Sequence, residues 1–180
     1  MKRMGKYSLI MTTTILCFCI SASPVSADTK LQDDIDVRFL QDASASNSWM
    51  MTLGDLALRQ AASGDVREFS RRMIEDQEGI RLNLKRLSDR KGVKLEADRD
   101  KIRLNTTAYL SKEYGAAFDR LYMSLLMDEH QRNVVLYKEE IEKGRDGDIK
   151  AFAGGVLKKL EAYTEMAKKI LAGIPKPFLK

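Results

Sequence analysis

From about Asp36 onward, apolar residues return every three or four positions along four long segments. That spacing turns one face of a helix toward a core. The first segment runs from about Asp36 to Ser63 with an inward stripe of Phe39, Ala43, Asn47, Met50, Gly54, Ala57 and Ala61. Its small residues allow a neighbouring helix to approach closely, and Gly64 reads as its stop, because glycine tolerates the left-handed conformation that ends helices. The second segment starts at once. Asp65 reads as its N-cap, with Glu68 three residues on completing a capping box. Its stripe is Val66, Phe69, Met73, Gln77, Ile80, Leu84 and Leu87, and Gly92 ends it after the basic turn of Arg90 and Lys91. The third spans about Ala116 to Lys143, with Tyr122, Leu126, His130, Val134, Tyr137 and Ile141 inward, Phe118, Leu121 and Leu125 flanking, and Gly144 as stop. The fourth covers about Asp148 to Ala172 on Ile149, Phe152, Val156, Leu160, Tyr163, Ala167 and Ile170; Pro175 and Pro177 forbid helix beyond it.

Segments of this length each span roughly 40 Å at 1.5 Å per residue. Matched lengths, two tight junctions and one long connection predict an all-α, up-and-down four-helix bundle. The long connection, Val93 to Gly115, lies between the second and third helices and is expected to carry a short helical turn near Ala108–Glu113.

The first residues follow another pattern. Lys2, Arg3 and Lys6 precede an apolar or uncharged run from Tyr7 to Ile20, then small residues ending in Val25-Ser26-Ala27. This is the form of a secretory signal peptide. The run is shorter than the roughly 20 residues a bilayer span needs. Residues 1–27 are therefore assigned as signal, 28–35 as a polar lead-in, 36–172 as the bundle and 173–180 as a tail, with cleavage near Ala27 and a periplasmic or secreted destination. The mature chain has no second stretch long enough to span a membrane. The formal charge of the whole chain is +5. Without the three basic residues of the signal it is +2, with signs interleaved, which gives no case for nucleic acid as a partner. Both cysteines, Cys17 and Cys19, fall in the signal, so the mature chain lacks disulfide and thiolate chemistry.

Chemistry then concentrates at mid-helix. Met50, Gln77, His130 and Tyr163 occupy inward positions near the middle of successive helices, and in an antiparallel bundle such positions meet in one layer, where bundles build metal sites. A di-iron carboxylate site needs Glu-x-x-His on two helices, yet Met127 stands three before His130, the sole histidine. Glu75, Asp76, Glu78, Asp128 and Glu129 are expected to point mostly toward water or the boundary. One reading of the layer is a polar patch in which His130, Gln77 and Tyr163 donate to and accept from one another. Another is monovalent copper, which suits thioether and imidazole, with Met50, Met73 and Met127 near His130. Arg67, Arg71 and Arg72 are expected to be solvated, and Asn105-Thr106-Thr107 fits a glycosylation acceptor only in a eukaryotic secretory host. Trp49, the only tryptophan, either packs beneath the long connection or offers a partner-binding surface. There is no Gly-rich phosphate loop, and no Ser or Cys nucleophile pairs with the single His.

Four stretches carry a resemblance: Arg38-Phe39-Leu40 with Leu53-Gly54-Asp55-Leu56-Ala57, Val66-Arg67-Glu68-Phe69 with Met73-Ile74-Glu75-Asp76, Phe118-Asp119-Arg120-Leu121-Tyr122 with His130, and Ile149-Lys150-Ala151-Phe152-Ala153. Their order and spacing, over about Asp36 to Leu171, resemble the domain of unknown function 4142 family of secreted, ferritin-like bundles, often described as outer-membrane or periplasmic proteins. The resemblance implies a bacterial, extracytoplasmic four-helix bundle of undefined activity. The family pattern tends to place a Glu in the first helix, an Asp-His pair in the second and a His in each of the third and fourth. Here those positions look like Met50, Asp76-Gln77, His130 and Tyr163. These five residues are the metal candidates, in a ligand set that looks depleted. The expectation is a non-enzymatic periplasmic binding or envelope stress-related module with no cofactor and an envelope protein as possible partner. The alternative is a copper- or iron-binding protein using His130.

Overall fold

The computed structural model describes residues 34–96 and 100–175. The signal with its two cysteines, most of the lead-in, and the tail from residue 176 with Pro177 lie outside the described residues. Five helices make up the order: α1 Ile35–Gln60, α2 Gly64–Lys91, α3 Lys101–Leu110, α4 Gly115–Lys143 and α5 Gly147–Gly173. The four long helices form the expected bundle. α1 packs against α2 and α4, and α5 packs extensively against α4 and to a smaller extent against α2.

The junctions are built differently from the sequence expectation. α1 stops at Gln60, and Ala61 to Ser63 run extended. Gly64 does not adopt a left-handed conformation and begins α2. Asp65 does not cap α2; the N-cap is Ser63, whose side chain makes no capping bond. The capping comes from another helix. Buried Asp119 on α4 accepts the backbone N–H groups of Ala62 (3.0 Å) and Ser63 (2.7 Å). Arg67 closes the other side of the turn by donating to the carbonyls of Ala61 and Ala62. Glu68 is held by Arg71 and Arg72 rather than by the helix start.

Gly92 behaves as the sequence predicts. With φ at 67° it takes the left-handed position, its N–H reaches Asp89 O, and Val93 N reaches Ser88 O at 2.9 Å. Three other starts are capped by aspartates: Asp34 on α1, Asp100 on α3 and Asp146 on α5.

The long connection holds a full ten-residue helix, α3, rather than a turn at Ala108–Glu113. It packs over α1 and α4 with Leu110 buried. Trp49, 8% exposed, packs beneath it. The indole N–H donates to Thr107 Oγ1 at 3.0 Å, and the Arg103 guanidinium stands 5.3 Å over the ring. This removes Trp49 as an exposed partner surface.

The stripes read from periodicity are largely the core; Val134, Ile141, Phe152 and Ile170 sit at its half-buried margin. Gly54 lets α2 side chains pack close against α1: a Cβ there would fall 2.8 Å from Ile74 Cγ1 and 2.9 Å from Met73 Cε.

Candidate functional site

The core divides into two apolar halves. One gathers Trp49, Leu53, Phe69, Met73, Phe118, Tyr122, Leu126 and Tyr163; the other gathers Phe39, Leu40, Ile80, Leu84, Tyr137, Ile149 and Leu160. Between them lies a belt of buried polar side chains: Ser46 and Asn47 on α1, Gln77 on α2, and Glu129, His130 and Asn133 on α4.

The belt is knitted mainly through α1. Asn47 Nδ2 donates to Gln77 Oε1 at 2.6 Å and to its backbone carbonyl at 2.8 Å. Gln77 Nε2 in turn faces Met50 Sδ at 3.7 Å, and Asn133 Nδ2 faces the same sulfur at 3.8 Å while donating to Ser46 Oγ at 2.7 Å. Ser46 Oγ donates a hydrogen bond to Glu129 Oε1 at 2.6 Å. Glu129, only 2% exposed, also receives Arg103 from α3 at 3.0 Å and Arg132 from its own helix at 2.7 Å. A buried carboxylate is tolerable when paired and hydrogen-bonded in this way.

The expected exchange among His130, Gln77 and Tyr163 is not formed. Asn47 holds Gln77, while Tyr163 OH turns outward to Asp76 Oδ2 at 2.8 Å, and Lys159 pairs with the same carboxylate. Burial pushes Asp76 up, but the Lys159 and Tyr163 hydrogen bonds outweigh it and leave the carboxyl below its usual range. Burial and the adjacent Asp76 charge both raise the Tyr163 phenol. His130 is fully buried. Its Nδ1 lies 2.7 Å from Leu126 O and must donate there, because a carbonyl only accepts. Its Nε2 has no hydrogen-bond partner among the described residues, and the ring stacks obliquely on Tyr163 (5.5 Å) with Phe69 edge-on at 6.4 Å. Burial holds its pKa below the ordinary value, against smaller opposing effects of the Leu126 hydrogen bond and the Glu129 charge.

So the structure pairs the metal candidates two by two: Met50 with Gln77, Tyr163 with Asp76, and His130 with the Tyr163 ring rather than its hydroxyl. Among the described residues no three His, Cys, Asp or Glu side chains cluster closely enough to hold a metal. Glu129 corrects the expectation that this acid faces water, whereas Asp128 does face it. The signal for Glu129 lay in spacing: Tyr122, Leu126, Glu129, Asn133, Tyr137 and Glu140 follow one another by three or four residues, a second inward row that polarity disguised.

A further buried acid closes the opposite end of α4. Glu140, 1% exposed, has both carboxyl oxygens without a donor among the described residues. It lies against Asp36, whose carboxylate accepts the N–H groups of Arg145 (2.9 Å) and Asp146 (3.1 Å) in the α4–α5 turn. Burial first, and then the Asp36 carboxylate, push Glu140 up to about 8, so its carboxyl carries a proton at neutral pH. Gly144 leaves the space this side chain fills, since a Cβ there would fall onto the Glu140 carboxyl.

The family model for Domain of unknown function (DUF4142) matches residues 21–170. Among solved structures, the chain is similar to a DUF305 protein from Streptomyces coelicolor whose name proposes secretion. The TM-score is 0.68 at 18% identity, covering 78% of this chain and 92% of that one, a likeness of fold alone. No curated protein matches the chain.

Proposed function

The chain belongs to the domain of unknown function 4142 family, and from that premise we propose that it is an exported, non-catalytic bundle of the cell envelope whose central layer serves cohesion rather than metal chemistry. Export is supported by the basic, apolar and small-residue succession of residues 1–27. Among the described residues, no helix is long and apolar enough to cross a membrane. The observation that carries the reading is the belt itself: Gln77 is held by Asn47, and Asn133, Ser46 and Glu129 are linked to one another and to two arginines. Groups committed in this way must break those bonds before they can bind an ion.

The test is elemental analysis of the protein isolated after export without chelator and then challenged with copper and iron. The expected result is less than stoichiometric metal. One equivalent retained by the wild type and lost in His130→Ala would overturn the reading. A second reading has one observation in its favour, the free lone pair of His130 Nε2. It makes His130 an imidazole ligand for copper or iron with Met50, Gln77, Asp76 or Tyr163 moving toward it, and the same measurement decides between the two.

A further inference from the structure

Between α3 and α1 lies a cleft of about 580 Å³, within the range of small-molecule sites. Two features of its walls define what fits. The apolar floor is the edge of Trp49 with Leu56, Leu104 and Ala108. The charged groups are two guanidiniums, Arg59 and Arg103, and the lining contains no carboxylate. Arg103 is engaged by Glu129 and the Trp49 ring. Arg59 is exposed and has no acidic partner among the described residues.

The hydroxyls at the rim sharpen the chemistry. Ser48 donates to Ser44 O, Thr52 to Ser48 O, Thr107 to Arg103 O and Ser111 to Ala108 O, at 2.8–3.0 Å. With those protons used on the helix backbones and Arg103 engaged by Glu129, the side-chain donor that faces a ligand is the Arg59 guanidinium. A guanidinium fork selects carboxylate or phosphate oxygens. Gln60 closes one end of the cleft by donating to Ser111 O at 3.0 Å.

We propose that this cleft binds a small amphiphile with a single anionic head, carboxylate or phosphate, the head on Arg59 and the apolar body along Leu56, Trp49 and Leu104. The site is separate from the central belt and does not depend on whether that belt binds metal. Charge complementarity and the apolar floor identify the ligand class. A fatty acid and a single-chain phospholipid share this chemistry, so the two heads are tested separately.

Trp49, the only tryptophan, reports directly from the floor. Its fluorescence is followed while the full purified chain is titrated with dodecanoate, with dodecyl phosphate and with neutral dodecanol, each below its aggregation concentration; calorimetry gives the stoichiometry. One equivalent of at least one anion is expected to bind with a change in Trp49 emission, and dodecanol at least about tenfold more weakly, as loss of a charge-assisted contact dictates. Binding of dodecanoate alone assigns a carboxylate head, and binding of dodecyl phosphate alone a phosphate head. Arg59→Glu and Leu104→Asp alter exposed side chains and should keep the helical signal while each weakens the anion about tenfold or more. Arg86→Glu, on α2 away from the cleft, should bind as the wild type does. No Trp49 response to either anion, equal affinity for dodecanol, or undiminished binding by Arg59→Glu would overturn the proposal.

Discussion

Replacing Glu140 by Gln should make the bundle more stable at alkaline pH and leave it unchanged near pH 5. Glu140 is buried against Asp36, with Asp146 adding negative charge and Lys150 the opposing positive one. Its pKa rises from an ordinary 4.5 to about 8 in the folded chain. Below 4.5 both states hold the proton; between 4.5 and 8 only the folded state does; above 8 neither does. Folded-state stability is therefore fully present below the unfolded pKa and is lost as pH rises through 8. Undiscounted linkage is about 1.4 kcal/mol per pH unit. Because the Lys150 charge opposes that of Asp36 and can relieve the ionised carboxyl, a total of roughly 2 kcal/mol is the better figure. The amide of Gln keeps a permanent donor toward Asp36, so the loss should not occur. The assay is urea unfolding followed by helical circular dichroism from pH 5 to 9, with Glu140→Gln expected above the wild type by about 2 kcal/mol at pH 8.5. The variant should also expose His130, whose folded pKa lies below 6.5: its contribution falls as pH drops below 6.5, a slope that Glu140 opposes in the wild type. Parallel profiles for the two proteins would refute the proton shared between Glu140 and Asp36.

Other expectations follow from single contacts. Gly54→Ala should lower Tm, because the clash with Ile74 and Met73, about 1–3 kcal/mol of overpacking, exceeds the helix propensity gained; Gly79→Ala, with nothing within 4 Å, should raise it by the equivalent of about 0.5–1 kcal/mol. Glu129→Ala leaves Arg103 and Ser46 without their partner and should cost about 2–3 kcal/mol in urea unfolding. In the same variant, hydrogen exchange should show α3 opening first. Asp119→Ala removes the acceptor for Ala62 and Ser63 and should cost about 1–2 kcal/mol, measured in the same way.

The stripes on α1 and α2 were legible because the residues that keep the 3.6 period, apart from the Asn47–Gln77 pair, face apolar neighbours, so sequence and burial carry the same signal. Gly92 was legible for a similar reason: its conformation is set locally, by a residue without Cβ at the end of a basic turn. The α1–α2 junction was not, because its caps come from Asp119, 57 positions beyond Ala62, and no local rule reveals a donor's partner on another helix. Glu129 and Glu140 were hidden for the opposite reason: their period matches the core, but their charge argues against it until the partners are known.

By itself, then, the sequence determined the all-helical class, the four long helices and the inward placement of Met50, Gln77, His130 and Tyr163, since periodicity is a property of one segment at a time. Tertiary structure alone decided what that layer is. It turned Tyr163 outward to Asp76, placed Asn47 on Gln77 and drew Arg103 from α3 onto Glu129. It also folded the long connection into a helix over Trp49 and so created the cleft. Hydrogen bonds and ion pairs between helices depend on directions and distances in three dimensions, and the order of residues along one chain does not specify which of several polar neighbours a side chain will face.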